Sequence, residues 1–286
     1  MSRPIAVFGP TAVGKSAFCL QLAAEIGGEI VNADAVQVYR GFDVGSAKPS
    51  AEERERVPHH LLDVADPDMG ITVATYQLLA QQAIREVERR GAVPIVSGGS
   101  GLYLRAALGE WDAFGAPPDP EVRRWAEAAD IAEVYEKAMA VDPLGARRLS
   151  PQDRPRLIRV IERSRAAGGG GGATPVRFLK IGLQLPRAQL YARIDERALT
   201  LWPHLLRETS LLVTRGPQAS ALVERTIGYR EALRHLRGET GPEEAMRQVQ
   251  METRRLAKRQ LTWWRREPDT IWLRPDEGLR QLLAML

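Results

Sequence analysis

The segment formed by residues 9–16 constrains the fold of this chain more than any other. It follows an apolar run over residues 5–8 and precedes a helical pattern over residues 17–26. Its pattern is G-x-x-x-x-G-K-[ST], and its members are Gly9, Pro10, Thr11, Ala12, Val13, Gly14, Lys15 and Ser16. A strand, a glycine loop and a helix in this order predict a phosphate-binding loop at the carboxyl end of a parallel strand.

The residue types of this loop suit a di- or triphosphate. Glycines let the backbone N–H groups and the helix N-terminus face one anion. Lys15 adds a positive charge for phosphate oxygens, and the Ser16 hydroxyl can ligate Mg²⁺. A glycine-rich turn without a ligand is the alternative, but all four fixed positions and both flanks match the motif. We therefore expect the loop to bind the phosphates of a ligand.

Length and composition set the broad class. The chain has 286 residues, which suffices for one large α/β domain or two small ones. The single cysteine, Cys19, excludes an internal disulfide and a cysteine zinc site, and we expect it in the core. The first strand begins within a few residues of the start, so no signal peptide is expected. No apolar run approaches the length of a membrane span, and we expect a cytoplasmic protein.

Positive charge is concentrated near the carboxyl end. The whole chain has a net charge of +4. Residues 247–267 alone contain seven Arg or Lys against two Glu, a net charge of +5. A solvated basic helix face is one explanation. The density of charge around Trp263 and Trp264 favours a polyanionic partner such as RNA.

Strands alternate with helices in the first hundred residues. A second strand is predicted over residues 29–33, ending at Asp34, and a third over 93–97, ending in Gly-Gly-Ser-Gly with Ser100. Between them a long helix is predicted from a cap at Thr72 to Arg90. This alternation predicts a parallel sheet whose ligands gather at the carboxyl ends of the strands. The phosphate loop, Asp34 and Ser100 should therefore converge on one crevice.

The composition changes after Trp111. Residues 112–120 are rich in Pro and Gly, and five consecutive glycines occupy 168–172, which predicts a flexible linker. Between these stretches we expect four short helices, at 120–129, 131–140, 143–149 and 153–167. We therefore predict an all-helical insertion domain (112–172) within a core domain made of 1–111 and 173–286. The remaining core elements are predicted as a strand at 177–185, helices near 187–201, 228–238 and 242–266, a strand at 270–273 and a terminal helix.

Residue pattern alone leaves the roles of several side chains open. Asp34 could be a base, a magnesium ligand or a turn cap. Ser100 could contact a substrate or cap the helix that follows. His59 and His60 have no partners at metal-ligand spacing. Arg123 is one of many expected surface arginines.

The chain resembles the bacterial tRNA dimethylallyltransferase family, and the resemblance extends from residue 5 to about residue 272. The first motif, G-P-T-A-x-G-K-[ST], matches the phosphate loop. Further motifs that resemble the family are found at residues 34–41, 45–49, 58–63 and 98–104 in the first part, at 141–143 and 153–159 in the insertion, and at 227–229 and 253–263 near the end.

The resemblance implies a fold and an activity. The fold is an α/β, P-loop NTPase-like parallel sheet flanked by helices. The family transfers a dimethylallyl group from dimethylallyl diphosphate to N6 of the adenosine 3′-adjacent to the anticodon, in tRNAs reading codons that begin with U. Mg²⁺ is implied, with Ser16 as its protein ligand. The expected partners are the tRNA anticodon stem-loop and dimethylallyl diphosphate, and we expect a monomer.

The resemblance also implies residue roles. Asp34 is implied as the base, Ser100 as a hydrogen-bonding group in the reaction channel, and Arg123 as a substrate contact; all three are expected to act in catalysis. The residues implied to contact tRNA are Asp34, Ala35, Val36, Gln37, Ser100, Arg123, Pro155, Arg156, Leu157, Ile158 and Arg159. From the charge pattern we add Arg254, Arg255, Lys258 and Arg259.

Some positions depart from the family pattern, and two other functions compete. Ala35 replaces the usual Ser, Ser100 replaces Thr, and residues 201–213 match poorly the family's acidic helix.

A small-molecule P-loop kinase would share the loop and the sheet but gives no role to the basic segment. A nucleotide switch that binds RNA would need a guanine-recognition motif such as N-K-x-D, which the sequence lacks.

Overall fold

The computed structural model describes residues 3–110, 119–165 and 177–286. Its sheet has six parallel strands in the order β3-β2-β4-β1-β5-β6. The strands are β1 (Ile5–Phe8), β2 (Gly28–Asn32), β3 (His59–His60), β4 (Val93–Gly98), β5 (Leu179–Leu183) and β6 (Thr270–Leu273). The predicted α/β class with a parallel sheet is confirmed.

Helices cover both faces of this sheet. In chain order, the helices of the described residues are α1 (Lys15–Ile26), α2 (Ala51–Arg56), α3 (Val73–Arg89), α4 (Gly101–Ala107), α5 (Pro120–Ala128), α6 (Ile131–Val141), α7 (Pro143–Arg147), α8 (Arg154–Arg165), α9 (Arg187–Val213), α10 (Pro217–Arg225), α11 (Tyr229–Leu236), α12 (Pro242–Trp264) and α13 (Gly278–Leu283). Thr72 caps α3 through its side chain, as predicted.

The residues of the central strand β1 alternate between two apolar clusters. All four of its residues are buried, as expected of a strand with parallel neighbours on both sides and helices on both faces. Ala6 and Phe8 belong to one apolar cluster, and Ile5 and Val7 belong to the other. Cys19 is a buried free cysteine in the second cluster.

Register brings three loops to one edge of the sheet. Phe8 lies opposite Gly98 of β4, and Asn32 of β2 lies opposite Ser97. The chain therefore leaves β1, β2 and β4 at nearly the same level. These exits are the segments in which the sequence placed the phosphate loop, Asp34 and Ser100.

The prediction of a helix near 187–201 was wrong about its end, because α9 continues through Pro203 to Val213. An internal proline costs about 3 kcal/mol. Leu205 and Leu212 beyond it are buried, and burial of each leucine contributes about 1.5–3 kcal/mol. Packing on the core thus outweighs the local cost. The short elements α2, β3 and α10 were not predicted.

Contacts divide the chain into two compact units, one formed by Met1–Trp111 with Pro175–Leu286 and the other by Asp112–Thr174. The smaller unit contains α5 to α8 around its own apolar cluster, which includes Val122, Leu157 and Ile161. The predicted linker at 168–172, and residues 112–118 of the Pro- and Gly-rich stretch, lie outside the described residues. No helix in the described ranges is both long and apolar enough to cross a bilayer.

Candidate functional site

The phosphate loop ends where α1 begins. Gly14 has φ of 106° and precedes Lys15, the first residue of α1. This left-handed conformation favours glycine, and a glycine also has no side chain to cap the helix. The first N–H groups of α1 thus stay available to an anion. The amine of Lys15 donates to the carbonyls of Gly9 and Pro10 at 3.1 and 2.8 Å.

A cavity of about 460 Å³ opens at this loop. We call it the phosphate-loop cavity. Residues from all three sheet-edge loops contribute to its wall, together with one arginine of α9. Those used below are Lys15, Ser16, Asp34, Gln37, Gly99 and Arg197. The expected convergence of the phosphate loop and Asp34 is therefore present in the geometry.

Two cations and one carboxylate dominate the electrostatics of the cavity. Burial is the main cause that lowers the pKa of Lys15 to about 8; the negative charge of Asp34 opposes this shift, and the positive charge of Arg197 adds to it. Burial also lowers the pKa of Arg197, again against the attraction of Asp34. The cavity thus holds concentrated positive charge in a desolvated setting, which suits a multiply charged anion.

Sequence reasoning missed Arg197. The sequence did contain a signal, because Arg197 falls in a helical stripe with the buried residues Leu190 and Ile194 of α9. An arginine at an otherwise apolar position of such a stripe is typical of a buried cation with a specific partner.

Asp34 forms a turn and also faces the cavity. Its Oδ1 accepts hydrogen bonds from the backbone N–H groups of Val36 and Gln37 at 2.8 and 3.2 Å. Its Oδ2 has no hydrogen-bond partner within the part of the chain that the structure describes. The turn-cap hypothesis is therefore confirmed for one oxygen. The other oxygen is available to a ligand.

A second space, the Asp34 cleft, lies beside the first and has a volume of about 420 Å³. It shares Asp34, Gly99 and Gln260 with the phosphate-loop cavity. Ser100 also lines it and occupies the N-cap position of α4, but its side chain makes no capping hydrogen bond. The Ser100 hydroxyl therefore does not cap α4, which was the alternative role predicted for it. Asp34 stands at the boundary between the two spaces.

Gln260 of α12 was also missed from the sequence. Its Oε1 accepts the backbone N–H of Thr11 at 2.8 Å, and its Nε2 donates to the carbonyl of Gly99 at 2.9 Å. One side chain therefore joins the phosphate loop to the loop after β4. Gln260 lies inside the motif at residues 253–263, but nothing in the residue pattern distinguished it from its basic neighbours.

The side chain of Gln37 connects the segment after Asp34 to the backbone of residues 46 and 47. Gln37 donates through Nε2 to the carbonyls of Ser46 and Ala47 at 3.0 and 3.1 Å. Ala35 and Val36 pack partly buried against the core, and Val36 lines both spaces. The amide nitrogen of Gln37 is thus used inside the protein.

Glu208 holds the backbone of residues 43–45 in place. Its carboxylate accepts the backbone N–H groups of Asp43, Val44 and Gly45 at 3.1, 2.7 and 3.3 Å, and it also binds the hydroxyl of Tyr229. Glu208 lies in the 201–213 stretch that matches the family motif poorly. The acidic group in this stretch therefore supports one wall of the cavity.

The four predicted basic residues of α12 have different surroundings. Arg254 is half-buried and pairs through two nitrogens with Asp195, and Arg255 pairs with Glu252 at 2.6 Å. Lys258 and Arg259 are exposed, and neither has an ion-pair partner among the described residues. A shallow space of about 420 Å³, the basic groove, is lined by Arg255, Lys258, Arg259, Thr262, Trp263 and Arg266.

Two of the predicted residues of the smaller unit, Arg123 and Arg159, bind one buried carboxylate. Glu162 accepts hydrogen bonds from Arg123 Nε and Arg159 Nη1, both at 2.8 Å. Burial opposes ionisation of Glu162, but these hydrogen bonds outweigh it and hold its pKa below the ordinary value. Leu157 is fully buried, so a tRNA contact through its side chain does not fit. Pro155 and Arg156 are exposed, and Ile158 is half-buried.

No group of three or more His, Cys, Asp or Glu side chains is arranged to hold a metal ion in the described ranges. His59 lines the phosphate-loop cavity, and its ring binds the carbonyl of Val57 at 2.7 Å. His60 pairs with Glu29 at 2.6 Å. Any metal at the loop would therefore depend on Ser16, a neighbouring carboxylate and the ligand's own oxygens.

Comparison with known proteins gives one consistent result. The IPP transferase family model matches residues 37–267. A tRNA dimethylallyltransferase of Geobacter metallireducens is 42% identical over 95% of this chain and 92% of its own length. A tRNA dimethylallyltransferase of Anaeromyxobacter dehalogenans is 44% identical, covering 96% of this chain and 95% of the relative.

Solved structures agree with this result. The full-length tRNA isopentenylpyrophosphate transferase from Bacillus halodurans has a TM-score of 0.74 and 32% identity, covering 100% of this chain and 95% of that chain. A eukaryotic dimethylallyltransferase acting on tRNA has a TM-score of 0.79 and 26% identity, covering 92% of this chain and 70% of that chain.

Proposed function

The chain belongs to the IPP transferase family, and from this premise we propose that it transfers a dimethylallyl group from dimethylallyl diphosphate to tRNA. The acceptor is N6 of the adenosine 3′-adjacent to the anticodon, in tRNAs reading codons that begin with U. The products are N6-dimethylallyladenosine and diphosphate. We expect the enzyme to act as a monomer in the cytoplasm.

One observation carries this proposal: Asp34 lies on the boundary between the phosphate-loop cavity and the Asp34 cleft. A transfer reaction needs a donor site and an acceptor site that meet at the reacting atoms. The cavity, with Lys15 and Arg197, suits the diphosphate of the donor. The cleft suits the adenine, because it adjoins the cavity at Asp34, Gly99 and Gln260 and is also lined by Ser100.

The arrangement suits an in-line displacement. The N6 electron pair forms a bond to C1 of the dimethylallyl group while the bond from C1 to the bridging oxygen breaks. Its electrons pass to the diphosphate, where Lys15, Arg197 and the loop N–H groups lie close to the developing negative charge. The N6 proton passes to the free Oδ2 of Asp34, which acts as the base. Ser100, which lines the cleft beside it, orients the adenine.

Mg²⁺ fits the oxygen groups present. Mg²⁺ is commonly held by one or two protein oxygens together with substrate phosphates and water, and the cavity offers the hydroxyl of Ser16 for this role. When bound, it would neutralise charge on the diphosphate oxygens.

RNA contacts are proposed on two surfaces. On α12, Lys258 and Arg259 lead from the basic groove to the cleft, since Arg259 lines both spaces. On the smaller unit, we propose the exposed Arg123 and Arg156, with Arg159 beside them. The adenine must leave the stack of the anticodon loop to reach Asp34, as in other enzymes that modify a base.

The test is direct. The protein is incubated with unmodified tRNA, Mg²⁺ and dimethylallyl diphosphate carrying label in the prenyl group. We expect label in the RNA, at the adenosine next to the anticodon, and none with the Lys15→Ala variant. The kinase alternative predicts ATP-dependent phosphorylation of a small molecule without any need for tRNA. Neither the relatives nor the geometry favours it. RNA that stays unlabelled in the presence of folded protein would refute the proposal.

A further inference from the structure

We infer that the indole ring of Trp263 is a stacking platform for an unpaired RNA base that enters the Asp34 cleft. The inference rests on the proposed function, because it concerns the path of the RNA to that site. Trp263 is half-buried and lines both the Asp34 cleft and the basic groove. A nucleotide that moves from the groove to Asp34 must therefore pass this ring.

Helix α4 fixes the ring from one side. A Cβ atom added at Gly101 would lie only 2.6–2.7 Å from three consecutive atoms of the six-membered ring. One turn further along α4, the guanidinium carbon of Arg105 lies 4.5 Å from the ring centroid. Glycine is thus required at position 101 by close approach, and the cation of Arg105 packs on the indole.

The support continues into the core. Arg105 donates to Glu267 at 2.9 Å, and the same carboxylate binds the buried Lys180 at 2.7 Å. The ring of Trp264 is nearly perpendicular to that of Trp263, with the two ring centroids 4.5 Å apart, and it stacks on Phe8 with a centroid separation of 4.4 Å. Trp263 is therefore held in place before any ligand arrives, so little side-chain entropy is lost on binding.

The charges around the ring select the class of ligand. The basic groove combines the surface of Trp263 with the side chains of Arg255, Lys258, Arg259 and Arg266. Rows of cations beside an exposed aromatic ring are typical of single-stranded RNA sites, where phosphates meet the cations and a base stacks on the ring. An apolar peptide would leave these cations unpaired.

Stacking and phosphate contacts respond differently to salt, and this difference provides the test. A labelled anticodon stem-loop is titrated with the full-length protein at several salt concentrations. We expect Trp263→Leu to weaken RNA binding by roughly 5- to 150-fold, the range for loss of one stacked base, with an unchanged salt slope. Trp263→Phe should retain much of the affinity. Binding of dimethylallyl diphosphate alone should be unaffected.

Trp202 offers a matched control. It is also half-buried, lies on α9 and packs near His235, and it lines none of the three spaces described above. We expect Trp202→Leu to bind RNA as the wild type does. The inference would be overturned if Trp263→Leu bound RNA as tightly as the wild type. It would also be overturned if the variant lost RNA affinity together with a flatter salt slope, because a flatter slope indicates lost phosphate contacts.

A second measurement combines changes in the RNA with changes at Trp263. Stem-loops with one abasic site, at the target adenosine or at either neighbour, are compared with intact RNA. At one of the three positions the abasic RNA should bind the wild type less tightly than intact RNA, and this loss should disappear in Trp263→Leu but remain in Trp263→Phe, whose ring can still stack. Coupling at none of the positions would refute the platform even if prenyl transfer occurs. Coupling without prenyl transfer would refute only the proposed function.

Discussion

Gln260 accepts a hydrogen bond from the backbone N–H of Thr11 at 2.8 Å, so a helix near the end of the chain holds the phosphate loop near its beginning. The same side chain donates to the carbonyl of Gly99 at 2.9 Å. The phosphate loop and the loop after β4 are thus fixed relative to each other by one residue that carries no charge.

The first prediction concerns this bridge. Gln260→Ala removes two hydrogen bonds, each with a net value of about 0.5–1.5 kcal/mol, and should weaken dimethylallyl diphosphate binding by roughly 5- to 150-fold. Gln260→Glu can still accept from Thr11 but cannot donate to Gly99, and it adds negative charge beside the diphosphate. We expect it to bind the donor less tightly than Gln260→Ala. Calorimetric titration with the donor measures both, and equal affinities for the two variants would contradict the role of the bridge.

The second prediction separates the two roles of Asp34. Asp34→Asn retains an oxygen that can accept from Val36 and Gln37, so thermal stability should be close to that of the wild type. Loss of the base should lower single-turnover transfer by about 10²–10⁴-fold, with donor and tRNA affinities within a few-fold. Asp34→Ala should lose the same transfer rate and, in addition, about 1 kcal/mol of stability with the turn cap. Near wild-type transfer by Asp34→Asn would exclude Asp34 as the base.

The third prediction concerns pH. We propose that Lys15 binds phosphate oxygens as a cation, and burial lowers its pKa to about 8. A lysine is charged below its pKa, so kcat/KM for dimethylallyl diphosphate should fall as pH rises through about 8, approaching tenfold per unit. Lys15→Arg keeps its charge and should lose this descending limb, whatever its absolute rate. A wild-type profile that stays flat up to pH 9.5 would contradict the assignment.

The fourth prediction concerns which basic residues of α12 bind tRNA. Replacing Lys258 and Arg259 together by Ala should weaken tRNA binding and reduce the magnitude of its salt slope by roughly one to two ions. Arg254→Ala is the comparison, because Arg254 is paired with Asp195. It should change the salt slope less and lower stability instead. A larger slope change for Arg254→Ala than for the double variant would place the RNA on a different face.

The fifth prediction concerns Glu162, whose buried carboxylate binds Arg123 and Arg159. Glu162→Gln removes the charge from both pairs, and the smaller unit should lose roughly 1–3 kcal/mol of stability. Its amides should then exchange faster in hydrogen-exchange experiments, while donor binding should not change because the smaller unit has its own core. If amide hydrogen exchange accelerated equally in β1 and α8, the two units would unfold together and the prediction would be wrong.

Sequence reasoning was most successful where local pattern and chemistry coincide. The strand, the phosphate loop and α1 were predicted from eight consecutive residues and their flanks, since glycine conformation and helix termini are local properties. The parallel sheet followed from alternation of strands and helices. Family motifs supplied the activity.

Tertiary packing decided the parts that depend on distant partners. The α9 helix continues through Pro203 because its far half is buried, which no local rule could show. Arg197, Gln260 and Glu208 reach the phosphate-loop cavity or its walls from α9 and α12, more than 150 residues after the phosphate loop. Their side chains matter because of what they contact across the fold.

Asp34 shows, in a single residue, which properties the sequence determines and which the tertiary structure determines. Its sequence context determined that a carboxylate follows a buried strand at the edge of a parallel sheet. Only the fold decided which oxygen closes the turn and which stays free, and that Asp34 lines two cavities. Local sequence fixes backbone conformation through short-range sterics and hydrogen bonds, whereas the position of a charge relative to cavities depends on the packing of segments far apart in the chain.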